Sequence, residues 1–410
     1  MKKFLAILLA ALMVLSVAAM AEEQITLQLW SIATESDSSH QAYVDAIAAF
    51  EADHPNIKIE HNATENEAYK TKIKAAMSSG EDLPDIFFTW GMGFLKDFVD
   101  AGRVVCLDDY YPAYADELPQ AMATNVTYDG KMFGVPYTMS LVTLYANMDL
   151  LAQVGYDHIP TTYEEMQACC EALKAADIIP FGVSGKELWC LSEYVEPLVI
   201  KSVGGDALKA MYNGEESWNN EAVVAAIAAF QEMVEKEYFD PSAASLGNDE
   251  VKNNFIAGKY AFYQNGSWNN ADIGSKAEFA VQAGTFPTLN AELSPYQMIG
   301  GPNNTLAVTE SCEHKEEAIE AAFYLARFFS DADYKSGANL PCWAADPDAE
   351  VSDLVKSAAD MAAKAESMVL FGDNFLSADA ANTYLDYIGQ AYAMDITPEE
   401  YVEGLDADLH

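Results

Sequence analysis

The sequence predicts an α/β protein of two lobes, each built on a largely parallel sheet, with strands crossing between them. Three observations lead there. Residues 25–90 read as β-α-β-α-β, a second α/β unit opens near Thr162, and the stretch 129–151 between them reads as two nearly collinear strands. With 410 residues, 51% of them hydrophobic, the chain is globular and long enough for two domains.

The first residues stand apart from the fold. Lys2 and Lys3, an apolar run over 4–17, and Ala19-Met20-Ala21 make up a cleavable secretory signal at 1–21. The run is too short to span a bilayer, which takes roughly 20 apolar residues. An exported protein, periplasmic or extracellular, is expected, and without a lipid anchor because the first cysteine is Cys106. Setting aside Lys2 and Lys3 leaves 20 basic residues against 64 acidic ones, a formal charge of −44. Such a field disfavours nucleic acid as a partner and suits neutral or cationic ligands, besides keeping the protein soluble.

Ile25, Leu27 and Leu29 alternate into Trp30 as a first strand. Val44, Ile47, Ala48 and Phe50 then mark a helix over 40–54, stopped by Pro55-Asn56. Residues 57–60 form a second strand; Tyr69, Ile73, Ala76 and Met77 mark a helix ended by Gly80; 85–88 form a third strand leading into Thr89-Trp90. A packing helix with Phe94, Leu95, Phe98 and Val99 follows. Open α/β sheets bind ligands outside the carboxyl ends of their strands, which places Trp30 and Trp90 on that rim.

Asp129-Gly130 is a turn. A strand then closes on Gly134-Val135-Pro136-Tyr137, a polar passage spans 138–140, and a second strand covers 141–146, as expected of a hinge. Beyond it, Thr162 and Glu165 form a capping box opening a helix with Met166, Cys169, Cys170 and Leu173 on one face. A strand at 178–183 follows, with Trp189 in the loop after it. Val223, Ile227, Phe230 and Val234 define a long helix, and another helix ending at Gly258 leads into a strand at 260–263 and Gly266-Ser267-Trp268. Prolines near 287–295 suggest a second crossing, Gly300-Gly301-Pro302 a backbone corner, 305–308 a strand and 318–329 a helix. Helices at 354–361 and 380–392, and a last one with Thr397 as cap and Pro398 in its first turn, complete the chain.

Three of these stretches together resemble one family. Residues 129–151 keep the spacing of a DGK-YGVPY-LYYNKDLL signature, with Met132-Phe133 and Ala146 departing from it. Ile178-Ile179-Pro180-Phe181-Gly182 with Trp189, and 255–262 with Gly266-Ser267-Trp268, match two more signatures in the expected order. The chain thereby resembles bacterial extracellular solute-binding protein family 1, the maltose-binding-protein-like sugar-capturing subunits of ABC importers. The resemblance implies a two-lobed periplasmic-binding-protein fold, type II-like. The first lobe would comprise 22–137 plus 289–330 and the second 138–288 plus 331–410, with a third crossing near 330–335. It further implies a monomer, not an enzyme, that passes an oligosaccharide to membrane permease subunits. Glu35 and Tyr137 match positions that often hydrogen-bond the ligand in relatives, and Trp90 and Trp268 also fall at matching positions.

The residues themselves carry little catalytic vocabulary. No HExxH, GxSxG, Walker loop or dinucleotide fingerprint occurs. No Cys/His spacing suits zinc, so neither metal nor cofactor is expected. Five of the six tryptophans, at 30, 90, 189, 268 and 343, fall in loops or at strand ends. Pyranose rings offer an apolar C–H face to an indole and hydroxyls to surrounding polar groups; the competing assignment for each ring is packing between layers. The candidate ligand-binding residues are Trp30, Glu35, Trp90, Tyr137, Trp189, Trp268, Gly301 and Trp343, Gly301 by close backbone approach. Trp218 is assigned a structural role. Two rivals stand beside the sugar reading: a polyamine-binding protein of the same fold, through cation–π contacts and carboxylates, and a secreted glycosidase. The six cysteines are expected to be mostly free and buried, a bridge from Cys190 to Cys169 or Cys170 being the alternative.

Overall fold

The computed structural model describes residues 24–409; the expected signal at 1–21 lies outside them. β1 (Ile25–Ser31), β2 (Ile57–Ala63) and β3 (Ile86–Trp90) pair in parallel in the order β2-β1-β3. The helices His40–Asp53 and Asn66–Ser79 alternate with them. The first helix buries Tyr43, Ala46 and Phe50, whereas Val44, expected on that face, is 44% exposed. A tyrosine can take the buried position because its hydroxyl finds a partner, the Tyr137 hydroxyl at 3.1 Å.

β4 (Thr127–Tyr128) and β5 (Lys131–Met132) form a two-residue hairpin. Its turn is Asp129-Gly130, at φ +51° and +78°. β6 (Val135–Asn147) follows, then β7 (Ile179–Gly182), β8 (Tyr260–Gly266), β9 (Val281–Gly284), β10 (Gln297–Val308), β11 (Leu340–Pro341) and β12 (Ser367–Val369). The main sheet runs β2-β1-β3-β10-β6-β8-β7. It is mixed rather than largely parallel, because β10 and β6 enter antiparallel to their neighbours.

These two long strands join the halves of the molecule. Residues 135–141 of β6 pair with β10, and 142–147 pair with β8 and β9. The polar passage at 138–140 therefore is no break. Thr138 and Ser140 are buried inside one continuous strand, and Ser140 Oγ donates to Asn339 Oδ1 at 2.9 Å. Gly300-Gly301-Pro302 likewise lies within β10 instead of forming a corner. Both glycines sit at φ +142°, and a Cβ on Gly300 would fall 2.2 Å from the Ser140 carbonyl oxygen. The ladder slips next to Pro302, which has no N–H to donate. Residues 330–335 continue the helix Lys315–Ser336, which Gly337 ends at φ +88°.

Two apolar cores lie on either side of the crossing. One gathers Leu27, Phe50, Ile73, Phe87, Leu306 and Phe323; the other gathers Leu144, Phe181, Leu198, Ile227, Phe262 and Tyr384. Thr162 caps the helix Tyr163–Ala175, as its spacing with Glu165 predicts, and Thr397 caps Pro398–Leu409, accepting from the Glu400 N–H. Trp218 is fully buried against Tyr212 and Tyr384. All six cysteines are unpaired, and all but Cys106 are buried.

Candidate ligand-binding cleft

The carboxyl ends of β1, β3 and β8, with the first turns of the helices beyond β7, converge on one cleft of about 490 Å³. Four of the expected residues line it: Trp90, Tyr137, Trp189 and Trp268. Trp90 ends β3 and is held edge-on by Phe88 and Phe94, with centroids 4.8 and 4.9 Å away. Tyr137 lies on β6 beside the loop that follows β1. Trp189 is not in a loop but in the first turn of the helix Leu188–Val203, an element not expected from the sequence. Trp268 follows β8 in a tight 3₁₀ turn. The glycine of Gly-Ser-Trp has a steric reason: a Cβ at Gly266 would fall 2.1 Å from a Trp268 ring carbon. Phe371 adds a further aromatic surface, its centroid 5.7 Å from that of Trp268.

The other four expected residues do not line the cleft. Trp30 points to the opposite face of β1 from Leu27 and Leu29, where Lys72 Nζ lies 3.6 Å from its centroid. Glu35 belongs to the loop that forms one wall, but it is Thr34, Ser36 and Asp37 of that loop that line the cleft, while Glu35 is exposed outside it. Gly301 is held in the β10 ladder opposite Ser140; its neighbours Asn303 and Asn304 reach the cleft instead. Trp343 is 4% exposed inside the first core, near Tyr114 and Phe323, and its indole N–H donates to the Pro136 carbonyl at 2.9 Å. An indole after a strand looks the same in sequence whether the chain then turns outward or inward.

The polar wall was largely missed. Asn303 donates through Nδ2 to Asn374 Oδ1 at 3.0 Å, leaving its own buried Oδ1 without a partner. The Trp189 indole N–H and both Glu193 carboxyl oxygens are also buried and unpartnered. Burial pushes the Glu193 carboxyl well above the ordinary range, with Glu196 and Asp373 adding to the effect. Most other cleft charges are already committed. Lys70 meets Asp373 at 3.6 Å and Glu67 at 3.2 Å. Burial alone would depress the Lys70 ammonium, but these carboxylates outweigh it and raise its pKa. Lys252 meets Asp272 at 2.9 Å and Asp249 at 3.3 Å, and Glu187 accepts from the Asn248 N–H at 2.7 Å. Desolvation raises Asp37, which accepts from the Ser39 N–H. Much of this wall joins positions distant in the chain, such as Lys70 with Asp373 and Asn303 with Asn374, and no local pattern marks those pairs. Among the described residues no cluster of His, Cys, Asp and Glu suits a metal ion.

The arrangement offers aromatic planes, free hydrogen-bonding capacity and little unpaired charge. That suits a neutral, hydroxyl-rich ligand. Comparison with known proteins shows the family. Residues 33–334 match the family model described as bacterial extracellular solute-binding protein. An uncharacterized ABC transporter extracellular-binding protein of Pyrococcus horikoshii is 25% identical over 317 residues, 74% of this chain and 69% of its own length. A structure from work on xylan utilization by the thermophilic bacterium Caldanaerobius polysaccharolyticus superposes with a TM-score of 0.89 at 33% identity. It covers 94% of this chain and all of its own. A chitin oligosaccharide binding protein shares the fold, with a TM-score of 0.86 at 22% identity over 94% of this chain and 98% of its own.

Proposed function

This chain belongs to the bacterial extracellular solute-binding proteins, and we propose that it captures a short oligosaccharide in its cleft and delivers it to the permease subunits of an ABC importer. The carrying observation is that Trp90, Trp189 and Trp268 share one cleft with the free polar atoms of Asn303 and Glu193. Indole faces stack on sugar rings while amides and carboxyls serve their hydroxyls. Capture proceeds by rotation of two lobes, 22–137 with 289–330 against 138–288 with 331–410, except that Cys342 and Trp343, numbered with the second, pack in the first core. No bond is made or broken. The protein acts as a monomer, exported by the segment 1–21 and free of a lipid anchor.

One observation favours a cationic ligand: acidic side chains outnumber lysines along the cleft. Their existing partners weigh against it, since Asp373, Asp249 and Glu187 are each engaged within the protein. Calorimetric titration with xylo-oligosaccharides, chito-oligosaccharides and spermidine distinguishes the readings. The relative at 33% identity makes xylo-oligosaccharides the first to try. Binding of a sugar without turnover supports the proposal; binding of spermidine alone, or hydrolysis of the sugar, overturns it.

A further inference from the structure

The turn that follows Trp90 crosses from one core to the other. Trp90 and Phe94 are buried in the first core, but Met92, between them, packs against the second. Met92 sits at φ +57°, ψ −134°, a conformation that a non-glycine residue rarely adopts and that persists only where its surroundings hold it. Its N–H donates to the Asn125 carbonyl at 2.6 Å, and its carbonyl accepts from the Tyr128 hydroxyl at 2.7 Å. Next to it, a Cβ on Gly93 would lie 2.1 Å from the Leu376 carbonyl oxygen and 2.7 Å from that of Phe375. The contact continues one turn on, where Asp97 Oδ2 accepts from the Ala378 N–H at 2.9 Å. Leu376 is buried in the second core. The segment that meets Gly93 also begins at the cleft, through Phe371, Asp373 and Asn374.

We propose that Gly93 is a positioning residue for ligand binding: its missing side chain lets the turn after Trp90 seat against the backbone of Phe375 and Leu376, and this seam holds the lobes in the arrangement that grips the ligand. The inference rests on the oligosaccharide reading for what is gripped, but the seam itself is independent of the ligand's identity. Ligand and seam favour the same arrangement, so weakening the seam lowers the fraction of molecules competent to bind and lowers the apparent affinity with it. No ligand atom need touch Gly93.

The test compares wild type with Gly93→Ala and Asp97→Ala by calorimetry with an oligosaccharide that the wild type binds, by small-angle scattering, and by melting of the unliganded protein. Gly93→Ala should lose about tenfold or more in affinity and should not compact to the wild-type radius at saturation, with a melting temperature close to wild type. Asp97→Ala should lose less, in the same direction. Wild-type or tighter affinity in Gly93→Ala overturns the proposal. Should Gly93→Ala not fold, unchanged affinity in Asp97→Ala overturns it. If the wild type binds no sugar, the oligosaccharide reading fails separately, and the seam is judged by scattering alone: an unliganded Gly93→Ala no larger than wild type overturns it.

Discussion

Trp189 and Trp268 hold their ring centroids 6.1 Å apart with planes inclined at 56°, so two indoles from separate segments of the second half form one angled wall of the cleft. Trp268 is the more consequential, because the Gly266 strand end is shaped around it. Trp268→Ala should cost about 2 kcal/mol of binding free energy, as for other aromatic anchors, or roughly thirty-fold in affinity. Trp343→Ala should do the reverse: as a core indole bonded to Pro136, its loss should cost about 3–5 kcal/mol of stability with affinity preserved in the folded fraction. Calorimetry and melting of both variants separate the roles. Unchanged affinity in a well-folded Trp268→Ala removes the stacking assignment.

Because β6 and β10 are the two long strands that join the cores, ligand should compact the protein by rotating the lobes, with little change inside either. Small-angle scattering at saturating ligand should show a smaller radius of gyration than the unliganded protein. Equal radii, with an open unliganded form established by crystallography, count against rotation.

A neutral ligand carries no charge for salt to screen, so its dissociation constant should change little between low and high ionic strength. Lys70–Asp373 and the other cleft pairs are internal to the protein. A steep loss of affinity with salt in calorimetric titrations would instead mark a cationic ligand.

Asp333, buried near the cleft with Ser39 as a partner at 3.2 Å, has its carboxyl raised from 3.8 to about 7, by burial first and by the neighbouring Asp37 second. A carboxyl whose folded pKa exceeds its unfolded value binds its proton more tightly in the native state. Its stabilisation is full below the unfolded value and is lost as pH rises through the folded one. Stability should therefore fall between about pH 4 and pH 7 by at most about 4 kcal/mol from this group. Asp333→Asn should flatten that decline and raise the melting temperature at pH 8. An identical pH profile in the variant contradicts the assignment. Glu193 and Glu196 are shifted in the same direction, so part of the slope should remain.

Local pattern carried most of the helices and strands, because caps such as Thr162 and Thr397 and buried faces such as Tyr69, Ile73 and Met77 act over a few residues. It misread residues inside the two long strands. Thr138–Ser140 and Gly300–Pro302 carry the polar, glycine and proline residues that elsewhere signal turns, yet here each strand is the other's partner across 160 residues of chain. The cleft was legible where a motif fixes geometry, as at Trp268, and misleading where only exposure decides. Trp30 and Trp343 follow the same strand-end rule as Trp90, but Lys72 covers one and the first core absorbs the other. The wall formed by Asn303, Asp373 and Asn374 depends on tertiary approach alone.

The most direct measurement is a crystal structure of the protein with the oligosaccharide it binds best. The account predicts sugar rings against Trp268 and Trp90 inside the cleft, hydroxyls on Asn303 or Glu193, and no ligand contact to Trp30 or Trp343. A ligand bound outside this cleft, or a sugar in it that touches none of Trp90, Trp189 and Trp268, would contradict it.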